Sequence, residues 1–88
     1  MDVRTPGEFG CVKNGHVKGA INHELYYLPD SIKDLSADRE YVAYCSGGYR
    51  SAIAMSFMRA RGLKTLDIIG GYRAIQEKAP ELTTAQGQ

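Results

Sequence analysis

Tyr41-Val42-Ala43-Tyr44-Cys45-Ser46-Gly47-Gly48-Tyr49-Arg50-Ser51 decides the reading of this chain. Residues up to Tyr44 form a short apolar run with β-branched and aromatic members, which suits a buried strand, whereas good helix formers follow Ser51. Cys45 therefore stands at a strand end, and the glycine-rich residues after it turn the chain into a helix. A loop of this kind aims successive backbone N–H groups inward, and the helix N-terminus adds about half a positive charge. Such a concavity favours an anion. A free cysteine with a pKa near 8.5 is only about 3% thiolate at pH 7, but helix N-termini and nearby cations commonly lower that value. Cys45 is thus expected to be ionised and nucleophilic. Gly47 and Gly48 are expected to supply positive φ angles or close backbone approach. Arg50 would close the loop with a permanent charge and a donor fork. A free cysteine alone reads more readily as a small core residue. Two glycines and an arginine, placed where strand gives way to helix, favour the reactive reading.

Outward from this loop, three more segments agree with one family. Asp2-Val3-Arg4-Thr5-Pro6-Gly7-Glu8-Phe9, then Gly15-His16-Val17-Lys18-Gly19-Ala20-Ile21-Asn22, then the Cys45 to Ser51 loop, and finally Gly70-Gly71 after an apolar strand follow in order. Together they resemble the rhodanese-like sulfurtransferases over roughly residues 2 to 73. The resemblance implies a small three-layer α/β domain, a mostly parallel sheet with helices on both faces. It implies that Cys45 carries a persulfide, taking sulfane sulfur from thiosulfate or a low-molecular-weight persulfide and passing it to a thiol or cyanide. That is ping-pong covalent catalysis. Relative to the family the chain starts inside the first strand, so the expectation is a domain cut from a longer protein or one whose sheet edge a partner completes. The Cys-x-Gly-Gly-Tyr-Arg-Ser wording resembles rhodanese domains fused behind metallo-β-lactamase-fold persulfide dioxygenases. The aromatic that the family usually carries a few residues after the Gly-Gly pair is not a tryptophan here; the chain contains none, and Tyr72 stands immediately after the pair.

The expected site comprises Cys45 as nucleophile and Ser46, Gly47, Gly48, Tyr49, Arg50 and Ser51 around the substrate. Tyr49 is bulky enough to shape the pocket mouth. Arg4 joins the substrate-contacting set because it follows a strand end at the edge where α/β sheets bind ligands, and the family's arginine at this motif helps organise the active-site neighbourhood. A structural pairing of Arg4 with Asp2 is the equal alternative. The rival chemistry is the tyrosine phosphatase type of loop, which places five residues between cysteine and arginine. Here only Ser46, Gly47, Gly48 and Tyr49 intervene, a cradle suited to one sulfur atom rather than a tetrahedral phosphate. No aspartate stands in an obvious general-acid loop for a phosphatase, with Asp34 and Asp38 left open for that role. A non-catalytic interaction module is the third reading, opposed by the presence of Cys45.

Composition bounds the rest. With 88 residues, 43% apolar and 24% charged, and a formal charge of +1, the chain reads as one soluble domain with no bias toward nucleic acid or membranes. No apolar run has the length of a membrane span or a signal core, so the cytoplasm is the expected location. Cys11 and Cys45 lack a diagnostic disulfide spacing, and neither His16 nor His23 stands in a metal-binding pattern; no cofactor is expected. Cys11 reads as an exposed loop residue, with a resolving role only if the fold brings it to Cys45. His16 reads as packing beside its turn.

The expected elements are strands at Met1–Arg4, Ala20–Asn22, Tyr41–Tyr44 and Lys64–Ile69. Expected helices are a turn at Pro6–Phe9, a short helix over Pro29–Leu35, a largely buried one from about Ser51 to Arg61 closed by Gly62, and one over Tyr72–Lys78. Thr83 to Gln88 reads as a frayed tail.

Overall fold

The computed structural model describes residues 1–84. β1 (Glu40–Ala43) and β2 (Lys64–Asp67) pair in parallel, with Glu40 opposite Lys64 and Ala43 opposite Asp67. Parallel neighbours require a crossover, and α3 (Tyr49–Arg59) supplies it. Side chains alternate across the sheet. Ala43 and Thr65 are buried on the α3 side, whereas Val42 and Leu66 point the other way and remain 44% and 49% exposed. The expected buried strand is therefore buried on one face only.

The expected strands at Met1–Arg4 and Ala20–Asn22 shrink to single parallel bridges, Asp2 pairing with both Asn22 and Tyr44. Side chains end those ladders. The Arg4 N–H donates to Asp2 Oδ1 at 2.9 Å, and Asn22 Nδ2 donates to the carbonyls of Asp2 and Arg4 at 3.0 and 2.9 Å. The Arg4 N–H and carbonyl, which a longer strand would pair, are taken by the side chains of Asp2 and Asn22 instead.

α1 (Pro6–Phe9) opens with a capping box: the Glu8 N–H donates to Thr5 Oγ1, and Thr5 N–H donates back to the Glu8 carboxylate. The expected helix over Pro29–Leu35 is instead three tight pieces, a 3₁₀ turn at Leu25–Tyr27, α2 (Leu28–Ser31) and a 3₁₀ turn at Ile32–Asp34. Leu28, Ile32 and Leu35 still face the core, as their spacing requires. α3 buries a narrow stripe, Ser51, Ala54 and Met58, while Ile53 is 46% exposed; it is one-sided rather than largely buried. Its end is a Schellman motif: Gly62 adopts φ 82°, the Leu63 N–H reaches the Met58 carbonyl at 3.1 Å and the Gly62 N–H reaches Arg59 at 3.0 Å.

The core joins Val3, Leu28, Ala43, Cys45, Ala54, Met58 and Leu63 on the α3 face. α4 (Gly71–Lys78) and the 3₁₀ turn at Pro80–Leu82 flank the other face, where Ile75 and Leu82 line a groove with Val42, Tyr44 and Ile68. Helical layers on both faces of a parallel sheet match the expected α/β class. Thr83 is not frayed: it bridges Val17, and the Thr84 N–H donates to the His16 carbonyl at 2.7 Å. The rest of the expected tail, 85–88, lies outside the described residues. His16 does pack at its turn, stacked on Phe9 at 3.9 Å with Nδ1 2.9 Å from the Phe9 carbonyl.

Candidate active site

Cys45 lies two residues past the end of β1, after Tyr44, at the carboxyl edge of the sheet, and is 1% exposed. Gly48 turns the loop with φ 102°, a conformation open to glycine at little cost, and is the N-cap of α3. That turn folds the first amides of α3 back over the sulfur. Gly48 N–H donates to Cys45 Sγ at 3.1 Å and Ser51 N–H at 3.3 Å, with the Ser51 hydroxyl 3.5 Å away. Burial pushes the Cys45 thiol up, but the hydrogen bonds at the sulfur, those of the Ser51, Gly48 and Arg50 amides among them, outweigh it and hold the thiol below its ordinary value. Gly47 departs from expectation. Its φ is not positive and a Cβ there would meet no atom within 4 Å, so Gly48 alone carries the conformational demand.

A second helix N-terminus holds the loop from behind. Gly70 and Gly71 have φ 84° and 61°, and a Cβ on Gly71 would collide with the carbonyl oxygens of Cys45 and Ser46. Those carbonyls accept from the first turn of α4, Cys45 from Tyr72 N–H at 2.6 Å and Ser46 from Arg73 N–H at 3.1 Å. Within a planar trans peptide the C=O and the next N–H point oppositely. Fixing these two carbonyls on α4 therefore turns the N–H groups of Ser46 and Gly47 away from α4.

Arg50 does not point its guanidinium into the cradle as expected. It forms a two-pronged ion pair with Glu8 of α1, Nη1 to Oε1 at 2.7 Å and Nη2 to Oε2 at 3.0 Å, and Ser46 Oγ donates to the same carboxylate at 3.1 Å. The Arg50 guanidinium holds the Glu8 carboxyl down to about 2. Arg50 thus pins the loop to α1 and leaves the sulfur to the backbone amides. Tyr49 begins α3 and is 80% exposed, free to meet whatever approaches the loop.

Arg4 is buried and bound to Asp2 by Nη2–Oδ2 at 2.7 Å and Nε–Oδ1 at 3.0 Å; its Nη2 also donates to the Gly15 carbonyl at 3.0 Å. Its guanidinium lies 4.4 Å from the Tyr72 ring centroid, and together with Asn14, Ser46, Tyr72, Arg73 and Gln76 it lines a cavity of about 230 Å³. It therefore borders the loop at Ser46, with its charge already matched by Asp2. Two residues went unnoticed as site components. Glu8 stands in the Asp2–Phe9 segment, and neither that segment nor the Thr5-x-x-Glu8 spacing of a capping box marks it as a partner of the loop. Asp67, at the end of β2, meets the Ser51 hydroxyl in a very short hydrogen bond; only the parallel register brings it there. Cys11 and Cys45 are both free thiols, and no metal-binding cluster occurs among the described residues.

Comparison with known proteins agrees with this geometry. The family model for the rhodanese-like domain matches residues 1–78. The chain is 31% identical over 74 residues to YtwF of Bacillus subtilis (strain 168), which bears a sulfurtransferase name, covering 84% of this chain and 69% of YtwF. It is 37% identical over 71 residues to the HTH-type transcriptional regulator Rv0324 of Mycobacterium tuberculosis, covering 76% of this chain but only 30% of the regulator. The crystal structure of a rhodanese-related protein from Thermoplasma volcanium superposes with a TM-score of 0.83 at 33% identity, covering 90% of this chain and 76% of that one. With a strand-end cysteine, an amide cradle and a Gly-Gly clamp in the matched span, this chain belongs to the rhodanese-like domain family.

Proposed function

We propose that the domain is a sulfurtransferase in which Cys45 carries a sulfane sulfur as a persulfide. The observation that carries this reading is the pair of amides, Gly48 and Ser51, donating to Cys45 Sγ at 3.1 and 3.3 Å. Donors fixed on a sulfur favour its thiolate, the form that attacks. In the first half-reaction the Cys45 thiolate attacks the outer sulfur of thiosulfate or of a low-molecular-weight persulfide. The donor S–S bond breaks, and sulfite or a thiolate leaves with its electron pair. In the second, an acceptor thiolate or cyanide attacks the outer sulfur of the persulfide, the Sγ–S bond breaks, and Cys45 leaves as thiolate on the same amides.

Because Glu8 matches the Arg50 charge, attraction for an anion inside the loop falls to the backbone and the α3 N-terminus. The partners in this reading are a small sulfur donor and a thiol acceptor, without nucleic acid or membrane. The cytoplasm, where thiols stay reduced, suits the two free cysteines; no described helix is long and apolar enough to cross a membrane. The test is incubation with thiosulfate followed by intact mass and cyanide-dependent thiocyanate release. Wild type should gain one sulfur atom and release thiocyanate, and Cys45→Ser should do neither. A wild type that gains no sulfur from thiosulfate or from a glutathione-type persulfide overturns the reading, and release of phosphate from an aryl phosphate would favour the phosphatase instead.

A further inference from the structure

Ser51 has one hydroxyl proton and three groups that could take it: the Gly48 carbonyl at 3.3 Å, Asp67 Oδ1, and, once ionised, Cys45 Sγ at 3.5 Å, which as a thiol donates to Ser51 Oγ. A hydroxyl offers one donor and two acceptor sites, so it cannot serve all three. We propose that Asp67 is a positioning residue for Cys45 acting through Ser51: its carboxylate accepts the hydrogen bond of the Ser51 O–H and leaves an oxygen lone pair, rather than an O–H, facing the sulfur. The inference rests on Cys45 being the sulfur carrier, and it adds a residue that sets how freely that sulfur ionises.

The competition favours the carboxylate on two counts. A charged acceptor binds a hydroxyl about twice as strongly as a neutral one, and the Ser51 hydroxyl is within hydrogen-bond reach of Asp67 Oδ1. With the Ser51 O–H directed at the Asp67 carboxylate, the Ser51 oxygen accepts from the Cys45 S–H and stabilises the thiol. With the carboxylate gone, the same hydroxyl turns to the sulfur and stabilises the thiolate. The other charges nearby are already matched, Glu8 from α1 with Arg50 of the loop, and Asp2 with Arg4 from the N-terminal segment. Asp67, from β2, is left as the carboxylate in hydrogen-bond contact with the Cys45–Ser51 pair.

Such a restraint has opposite effects on the two half-reactions. It lowers the thiolate fraction available for attack on the donor while raising the intrinsic nucleophilicity of the thiolate that forms. It also makes Cys45 a slower leaving group, which prolongs the life of the persulfide. No net proton or electron is needed from outside, because the Ser51 proton only changes the acceptor it faces.

The test measures iodoacetamide alkylation of Cys45 against pH, resolved from Cys11 by peptide mass spectrometry. Asp67→Asn keeps the shape, and Asp67→Ala serves if the amide variant does not fold. Restoring one hydrogen bond to the thiolate raises its fraction about fivefold at pH 6, which reads as alkylation two- to threefold faster once the lower nucleophilicity is counted. At pH 10, where wild type and variant are both ionised, alkylation should be about twofold slower. In a Ser51→Ala background, Asp67→Asn should change neither rate. A variant with the wild-type profile overturns the proposal, and so does an equal acceleration with and without Ser51, which would make Asp67 a through-space charge. Alkylation does not require sulfur transfer, so these outcomes are separate from the fate of the persulfide reading.

Discussion

Gly71→Ala should be the most damaging single-methyl change near the loop, and three alanine substitutions separate the reasons. Gly47 has neither a positive φ nor a neighbour within 4 Å of an added Cβ, so Gly47→Ala should leave stability unchanged within about 0.5 kcal/mol. Gly19 has φ 78° but open space around a Cβ. Gly19→Ala therefore isolates the left-handed conformation, about 1–2 kcal/mol, less about 0.5 for the stiffer unfolded chain, or about 1 kcal/mol net. Gly71 has φ 61° and a Cβ that would run into the Cys45 and Ser46 carbonyls. Relieving that collision separates α4 from the loop and weakens the hydrogen bonds from Tyr72 and Arg73 N–H, at about 1 kcal/mol each. The sum is about 3 kcal/mol, or about 12–24 °C in Tm for a domain of this size, against about 4–8 °C for Gly19→Ala. Thermal unfolding followed by far-ultraviolet circular dichroism reads the three midpoints. Equal losses for Gly71→Ala and Gly19→Ala would refute the close-approach argument.

Glu8 gains its low pKa, about 2 against 4.5, first from Arg50. A depressed carboxylate stabilises the fold above about pH 4.5 and ceases to do so as pH falls through about 2. Because both side chains are about a third exposed (35% and 34%), the pair contributes only about 0.5–1 kcal/mol, and a glutamine at this position still accepts from the Thr5 N–H and keeps the capping box. Urea midpoints of Glu8→Gln should accordingly lie below wild type at pH 7 and converge with it toward pH 2. The Asp2–Arg4 pair is different, with side chains 0% and 4% exposed. Asp2→Asn leaves the Arg4 charge buried without its partner, at about 3–5 kcal/mol, whereas Asp2→Asn with Arg4→Met should cost less than the sum of the singles. Additive losses in urea unfolding would contradict the pairing.

What was legible in the sequence is what local chemistry encodes. Tyr41 to Ser51 announced strand, cysteine, turn and helix because the period of apolar residues changes there and Gly48 must take a left-handed turn. Gly62 announced the end of α3 for the same reason. Less was legible where a side chain reaches across the fold. The expected strands at Met1–Arg4 and Ala20–Asn22 ended early because Asp2 and Asn22 spend their polar atoms on neighbouring backbone. The fork of Arg50 suits any carboxylate, and sequence spacing did not select Glu8, which stands 42 positions away. Asp67 reaches Ser51 through the parallel register that sets it opposite Ala43, a tertiary fact with no local mark.

The two glycine sites divide the construction of the cradle between them. Gly48 brings the amides of α3 onto the sulfur, whereas Gly71 lets α4 come close enough to grip the carbonyls of Cys45 and Ser46. Two helix N-termini therefore act on one loop, one through its N–H groups on Sγ and the other by fixing which way the loop peptides face. A cradle held in this way needs no side-chain cation aimed at the sulfur, which is why Arg50 is free to tie the loop to Glu8. It follows that neutralising Arg50 should loosen the loop before it changes the sulfur, whereas moving either helix N-terminus should change both at once.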